Sequence, residues 1–167
     1  MKTKSKRPLK GGQKKPAAGP FLATAVFCDS VVRGEDGAMT AVRIIDHIKI
    51  TLPANAPEDV PSESKQIIAP IEGLVSFRKG HARIKHDLQL VVHSPSGKRQ
   101  ELMKKEIALT DKIHGGFNLR LKAMVAVSES GLYWMDVRLD SKLMTRMPLL
   151  VTVSRASLDS FAPAAKQ

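Results

Sequence analysis

Residues able to do nucleophilic, acid–base or metal chemistry are few in this chain, and their spacing keeps them apart. His81 and His86 stand five apart with Arg83 and Lys85 between them, a spacing that does not bring two ligands to one side of a strand. Asp46 and His47 are adjacent, so a strand turns them to opposite faces, and Cys28 and Asp29 alternate in the same way. Cys28 is the only cysteine. As a nucleophile it needs a neighbouring base that the sequence does not locate, and a small buried core residue is its expected role. "GHARIKH" and "SPSGK" are too short and too poor in glycine to cradle a phosphate. No catalytic residue, cofactor site or metal set emerges, and the expectation is a protein that is not an enzyme.

Two other features point to binding. Residues 1–20 hold Lys2, Lys4, Lys6, Arg7, Lys10, Lys14 and Lys15 and no acid. That is seven of the 27 Lys+Arg, leaving 20 cations against 16 acids in the rest. With three Pro, three Gly and no apolar period, residues 1–20 are expected to form a disordered basic arm. Such an arm contacts nucleic-acid phosphates non-specifically and in a salt-sensitive way, or it only solubilises. It holds no aromatic residue on which a base could stack. The second feature is "GLYWMDVRLDSKLMTRMPLLVTV", residues 131–153, which carries the only Tyr and the only Trp.

The elements that position these residues follow from periodicity. Residues 21–156 are expected to form one domain, with residues 157–167 as a C-terminal tail. From Phe21 the pattern has period two, repeated. "PFLATAVFCDSVVR" is a strand and "GEDG" a turn. Residues 38–52 then read as one half-buried strand, with Thr40, Val42, Ile44, Asp46, Ile48 and Ile50 on one face. Asp46 falls on that apolar face, where a buried carboxylate needs a partner, although strand ends often turn such positions outward. Residues 53–65 are the longest internal loop. "QIIAPIEGLVSFRKG" is a strand that bends or sits at an edge, because of Pro70 and Gly73. "IKHDLQLVVH", the "SPSGK" turn and "RQELMKKEIALT" form a hairpin, with Glu101, Met103, Lys105, Ile107 and Leu109 in phase. "ELMKKEIAL" also fits a short helix. "GFNLRLKAMVAV" turns its odd-numbered residues inward. The sum is about eight short strands separated by turns, which suggests an all-β antiparallel sandwich.

Phase sets an expected register for the last strands. Pairing by apolar face puts Val125 opposite Tyr133, Ala123 opposite Met135, Leu121 opposite Val137 and Leu119 opposite Leu139. Lys122 then faces Asp136, and Met124 faces Trp134. With a loop at Asp140–Lys142, Asp136 also faces Arg146 and Trp134 faces Pro148. A two-residue Asp140–Ser141 turn reverses that phase unless a bulge restores it. Arg120, Lys122, Met124, Trp134, Asp136 and Arg138 then share one outer surface. It is either a solvated charge ladder or the binding face for a protein partner.

"GLYWMDV" resembles the Gly-x-Tyr-x-x-x-Val strand of immunoglobulin-like sandwiches, in which a tyrosine hydroxyl ties down a corner two residues before a core position. That core position is Met135 here, so the resemblance implies the fold without its disulfide. "FCDSVVRGEDGAMTAVRIID" (27–46) and "GLYWMDVRLDSKLMTRMPLLV" (131–151) also resemble the two ends of an uncharacterised family of small bacterial proteins with immunoglobulin-like or C2-like sandwiches. Together they cover about a quarter of the chain. These motifs are structural and imply no activity.

A single cysteine excludes an internal disulfide, so the fold needs no oxidising compartment. The apolar run Phe21–Cys28 is short and ends at Asp29, which reads poorly as a secretory signal. No run approaches the ~20 apolar residues that span a membrane. The expected location is cytoplasmic. The expected role is a binding or assembly module, and the alternative is a nucleic-acid accessory protein that uses the arm.

Overall fold

The computed structural model describes residues 19–54, 67–110 and 115–156. The seven cations of the arm, most of the 53–65 loop and the 157–167 tail lie outside the described residues. Nine strands are present among them, and no helix. They are β1 (Phe21–Arg33), β2 (Met39–Ile45), β3 (His47–Leu52), β4 (Ile67–Arg78), β5 (Lys85–His93), β6 (Arg99–Ala108), β7 (Gly116–Val127), β8 (Gly131–Leu139) and β9 (Lys142–Arg155). One sheet has the order β2-β1-β4-β7 and the other β3-β9-β8-β5-β6. No helix long and apolar enough to cross a membrane occurs among the described residues.

The two sheets share one core. Phe27, Val75, Phe77, Leu121 and Val125 come from the first sheet, and Leu88, Leu90, Tyr133, Met135 and Val137 from the second. The alternation read from the sequence produces this core directly. Leu88, Leu90 and Val92 point inward from β5, and the odd-numbered residues of β7 do the same. The two turns read from the sequence also form, with Gly37 and Gly97 at positive φ. Tyr133 is buried and its hydroxyl closes a corner. It accepts from the backbone N–H of Ser128 (3.2 Å) and donates to the carbonyl of Glu129 (3.0 Å). Gly131 starts β8 at φ +144, and a Cβ there would lie 2.6 Å from the ring of Pro95.

Several expectations are corrected. Residues 38–52 form two strands, because the chain crosses from one sheet to the other at Asp46. Each half packs on a different sheet, so the half-buried residues are odd-numbered in β2 and even-numbered in β3. Asp46 is exposed at the crossing, not set on an apolar face, and its carbonyl accepts the N–H of Leu150 at 2.7 Å. This break gives nine strands where about eight were expected, and it makes β3 pair in parallel with β9.

"ELMKKEIAL" is strand, within β6, not helix. A register shift opposite Leu90 and Val91 takes Glu101 out of the expected inward phase and sets Gln100 opposite Val92. The Gln100 amide then bridges the two sheets, donating to the Met124 carbonyl (3.2 Å) and accepting from Ala126 N–H (3.0 Å).

Strands β7 and β8 do not pair. β7 pairs with β4, whereas β8 lies between β5 and β9. Val125 and Tyr133 enter the shared core from different sheets and are not neighbours along a ladder. Two consecutive strands show the same inward phase whether they are neighbours in one sheet or face each other across two, so phase alone could not separate these arrangements.

The β8–β9 hairpin does place Asp136 opposite Arg146 and Trp134 opposite Pro148. It does so through a two-residue turn, not the three-residue loop. Asp140 (φ 49) and Ser141 (φ 65) form the turn, and a register shift between Val137 and Arg138 restores the phase.

Candidate functional site

The six residues expected on one surface are divided between two. Arg120, Lys122 and Met124 lie on β7, in the four-stranded sheet, and Trp134, Asp136 and Arg138 lie on β8, in the five-stranded sheet. All six alternate with core residues, so the two triplets face away from each other on the outer sides of the two sheets.

On the four-stranded sheet, β1 and β4 pair only between Phe21–Phe27 and Gly73–Arg78, and then separate. Gly73 marks the apex of this fork, where a Cβ would come within 2.6 Å of the Val26 carbonyl. Pro70 belongs to the part of β4 that has left β1 and pairs only with β7, opposite Met124, so its missing N–H costs no bond to β1. The Glu72 side chain takes the place of a strand in the fork. It accepts the backbone N–H of Val31 (2.7 Å) and Arg120 Nε (2.7 Å), with Lys122 Nζ at 3.7 Å. The hydrogen bond from Arg120 holds the Glu72 carboxyl below its ordinary range against the effect of burial, with Val31 N–H assisting. An open cavity of about 510 Å³ lies here, lined by Cys28, Ile45, Ile48, Ile71, Glu72 and Met124 among others. Burial, then Glu72 and Asp29, push the Cys28 thiol up, which keeps it protonated. Met124 stands 61% exposed on the rim.

The five-stranded sheet carries a different cluster. Asp136 points outward yet is 0% exposed, because side chains close over it. Arg138 holds Oδ2 with Nη2 (3.0 Å) and Nε (3.3 Å), and Arg146 holds Oδ1 with Nε (3.0 Å). His93 Nε2 is buried, lies 3.3 Å from Oδ2 as an ion-pair contact, and makes no hydrogen bond. Burial raises the Asp136 carboxyl, but the Arg138 hydrogen bond and the charges of His93 and Arg146 outweigh it, so the carboxyl is held low and ionised. One anion is thus covered by two arginines and a histidine. Toward the start of β8 the next outward β8–β9 pairs are apolar: Trp134 opposite Pro148, then Leu132 opposite Leu150, with Trp134 38% exposed. Sequence reading found Trp134, Asp136 and Arg138, and found Arg146 through the hairpin. It missed His93, whose place beside Trp134 depends on the β5–β8 pairing.

A third cluster braces the hairpin turn. Asp140 accepts from Asp87 N–H (3.0 Å), Arg83 (2.8 Å) and His86 Nδ1 (2.7 Å), and His86 Nε2 donates to the Arg83 carbonyl (3.0 Å). Burial raises the Asp140 carboxyl, but these donors bring it down to about 2. Every ring nitrogen of the buried His86 is engaged within the fold, so the cluster has a structural part to play. Among the described residues no three of His, Cys, Asp and Glu gather as metal ligands. The chain matches no protein-family model and no curated protein.

Proposed function

We propose that the protein is a non-enzymatic binding module built on an immunoglobulin-like sandwich, and that its working surface is the outer face of β5, β8 and β9. The observation that carries this is the exposed Trp134, set beside arginines that a buried carboxylate holds in place. An exposed Trp flanked by Arg has the composition of a protein-interface hot spot, and side chains fixed before binding lose less entropy on association. Three features support the sandwich: one core shared by two sheets, the parallel pairing of β3 with the last strand, and the Tyr133 hydroxyl at the corner before β8. A photo-crosslinking residue placed at position 134 tests the working surface. Adducts are expected from position 134 and not from position 124 on the other sheet, although Met124 is the more exposed of the two. The reverse pattern overturns the assignment.

A second reading, nucleic-acid association, is favoured by the seven cations without an acid in residues 1–20. Removing residues 1–20 is expected to abolish retention on DNA or RNA at low salt and to leave the melting temperature nearly unchanged. Unaltered retention places nucleic-acid contact in the folded domain.

A further inference from the structure

We infer that the β5–β8–β9 face takes an extended acidic peptide segment, through a carboxylate and an apolar side chain two residues from it. This rests on the working surface assigned above and names its ligand.

The charge at the centre of the face does not balance. Asp136 supplies one negative charge against Arg138 and Arg146, with the His93 ring as a third group in contact. Because Asp136 is 0% exposed, its carboxylate cannot itself meet a ligand. What a ligand meets is the outer side of the guanidiniums. Arg146 spends Nε on Asp136, and its two terminal nitrogens make no hydrogen bond to Asp136. Arg138 spends Nε and Nη2 on the same oxygen. A guanidinium carries five N–H donors in a planar fork, so donors suited to a second carboxylate remain on both residues. The side chain of Arg146 is 56% exposed and can be reached.

The spacing of the rows selects the rest of the ligand. Along β8 the apolar Trp134 row lies two residues from the Asp136 row, roughly 6.5–7 Å away at strand rise. An extended peptide has the same period. A carboxylate seated on the arginines therefore brings the side chain two residues away over Trp134 and Pro148. Next in line is an aliphatic row of Leu132 and Leu150, both exposed. An aliphatic row suits a peptide side chain, whereas a nucleic-acid strand would find one aromatic ring for stacking. The strand beyond β5 also presents Glu101 opposite Val91, which repels a long polyphosphate crossing the sheet but not a short segment.

The test uses fluorescence anisotropy of two labelled peptides, Ser-Glu-Ser-Leu-Ser and its Gln counterpart, titrated with the full chain. The Glu peptide is expected to bind saturably and more weakly as salt rises, with the Gln peptide at least about tenfold weaker. Arg146→Gln, checked for folding by its melting curve, is expected to lose binding by a similar factor. Lys122→Gln on the other sheet leaves it unchanged. Equal binding of the two peptides, abolished by Trp134→Ala, overturns the acidic ligand and leaves the surface standing. Binding indifferent to both Trp134→Ala and Arg146→Gln overturns the surface as well. No binding of the Glu peptide at millimolar protein, or preferential binding of labelled oligothymidylate through Arg146, overturns the proposal.

Discussion

Both outer faces carry a carboxylate held by arginine, Glu72 on one and Asp136 on the other, and the two are used differently. Glu72 is bonded to the backbone of β1 and to an arginine of β7, so it stitches together a sheet that would otherwise stand open at the fork. Asp136 receives hydrogen bonds from side chains alone, both of them arginines, and it spans no gap, because β8 is already paired on both sides. A carboxylate bonded to backbone is accounted for by the fold. One that is buried only to hold arginines in place is not, since two apolar residues of similar volume would serve stability as well or better. The difference directs attention to the five-stranded sheet.

The largest expected effect comes from removing the buried anion. Asp136→Ala leaves Arg138 and Arg146 crowded without a counter-charge and His93 without its neighbour, and should cost about 3 kcal/mol in urea unfolding. A variant as stable as the parent would place Asp136 among ordinary surface charges. Glu72→Gln should lower the melting temperature by less, since the amide oxygen still accepts the Val31 N–H and only the pairing with Arg120 and Lys122 weakens. If Glu72→Gln proved the more damaging change, the fork and not the Asp136 cluster would be the dominant electrostatic device.

The turn at Asp140 sharpens the comparison through pH. Its carboxyl is depressed to about 2 in the fold, against an unfolded value of ~3.9. The unfolded state therefore takes up the proton first. The stabilisation is fully present above pH ~4 and is lost as pH falls toward 2. The side chain is 34% exposed, so the full linkage value must be reduced for solvent screening, to roughly 1 kcal/mol. Asp140→Asn retains a residue that tolerates the left-handed backbone, so it tests the charge alone. The gap between parent and variant should close between pH 4 and 2; a constant gap would mean that shape, not charge, holds the turn. The smallest effect is expected of Trp134→Ala, within about 0.5 kcal/mol of the parent because the ring is exposed. A loss of several kcal/mol would make Trp134 part of the framework and remove the main reason for choosing this face.

Much of the architecture was legible in the sequence because it depends on alternation. The inward set of β5, β7 and β8 and the buried Met135 follow from period two; the Tyr133 corner was implied by the resemblance of "GLYWMDV" to immunoglobulin-like strands, and the Asp136–Arg146 pairing was reached through a loop that is in fact a two-residue turn with a register shift. Sheet membership was not legible. The same odd-numbered phase serves β7 and β8 as neighbours or as opposite walls, and that ambiguity joined Arg120, Lys122 and Met124 wrongly to Trp134, Asp136 and Arg138. The Asp140–Ser141 turn was weakly marked for a similar reason. Its backbone sits at positive φ without glycine, held by donors from Asp87, Arg83 and His86, residues more than fifty positions away.

By itself the sequence determined which side chains of β5, β7 and β8 enter the core, since burying apolar surface on alternate residues leaves few other solutions there. It also placed the surplus of charge in residues 1–20. Tertiary structure alone decided which outward residues meet. Strand order and the register shift after Val137 bring His93, Asp136, Arg138 and Arg146 together from three strands. These contacts link residues distant in the chain through backbone ladders, and a hydrophobic pattern carries no record of which ladder forms.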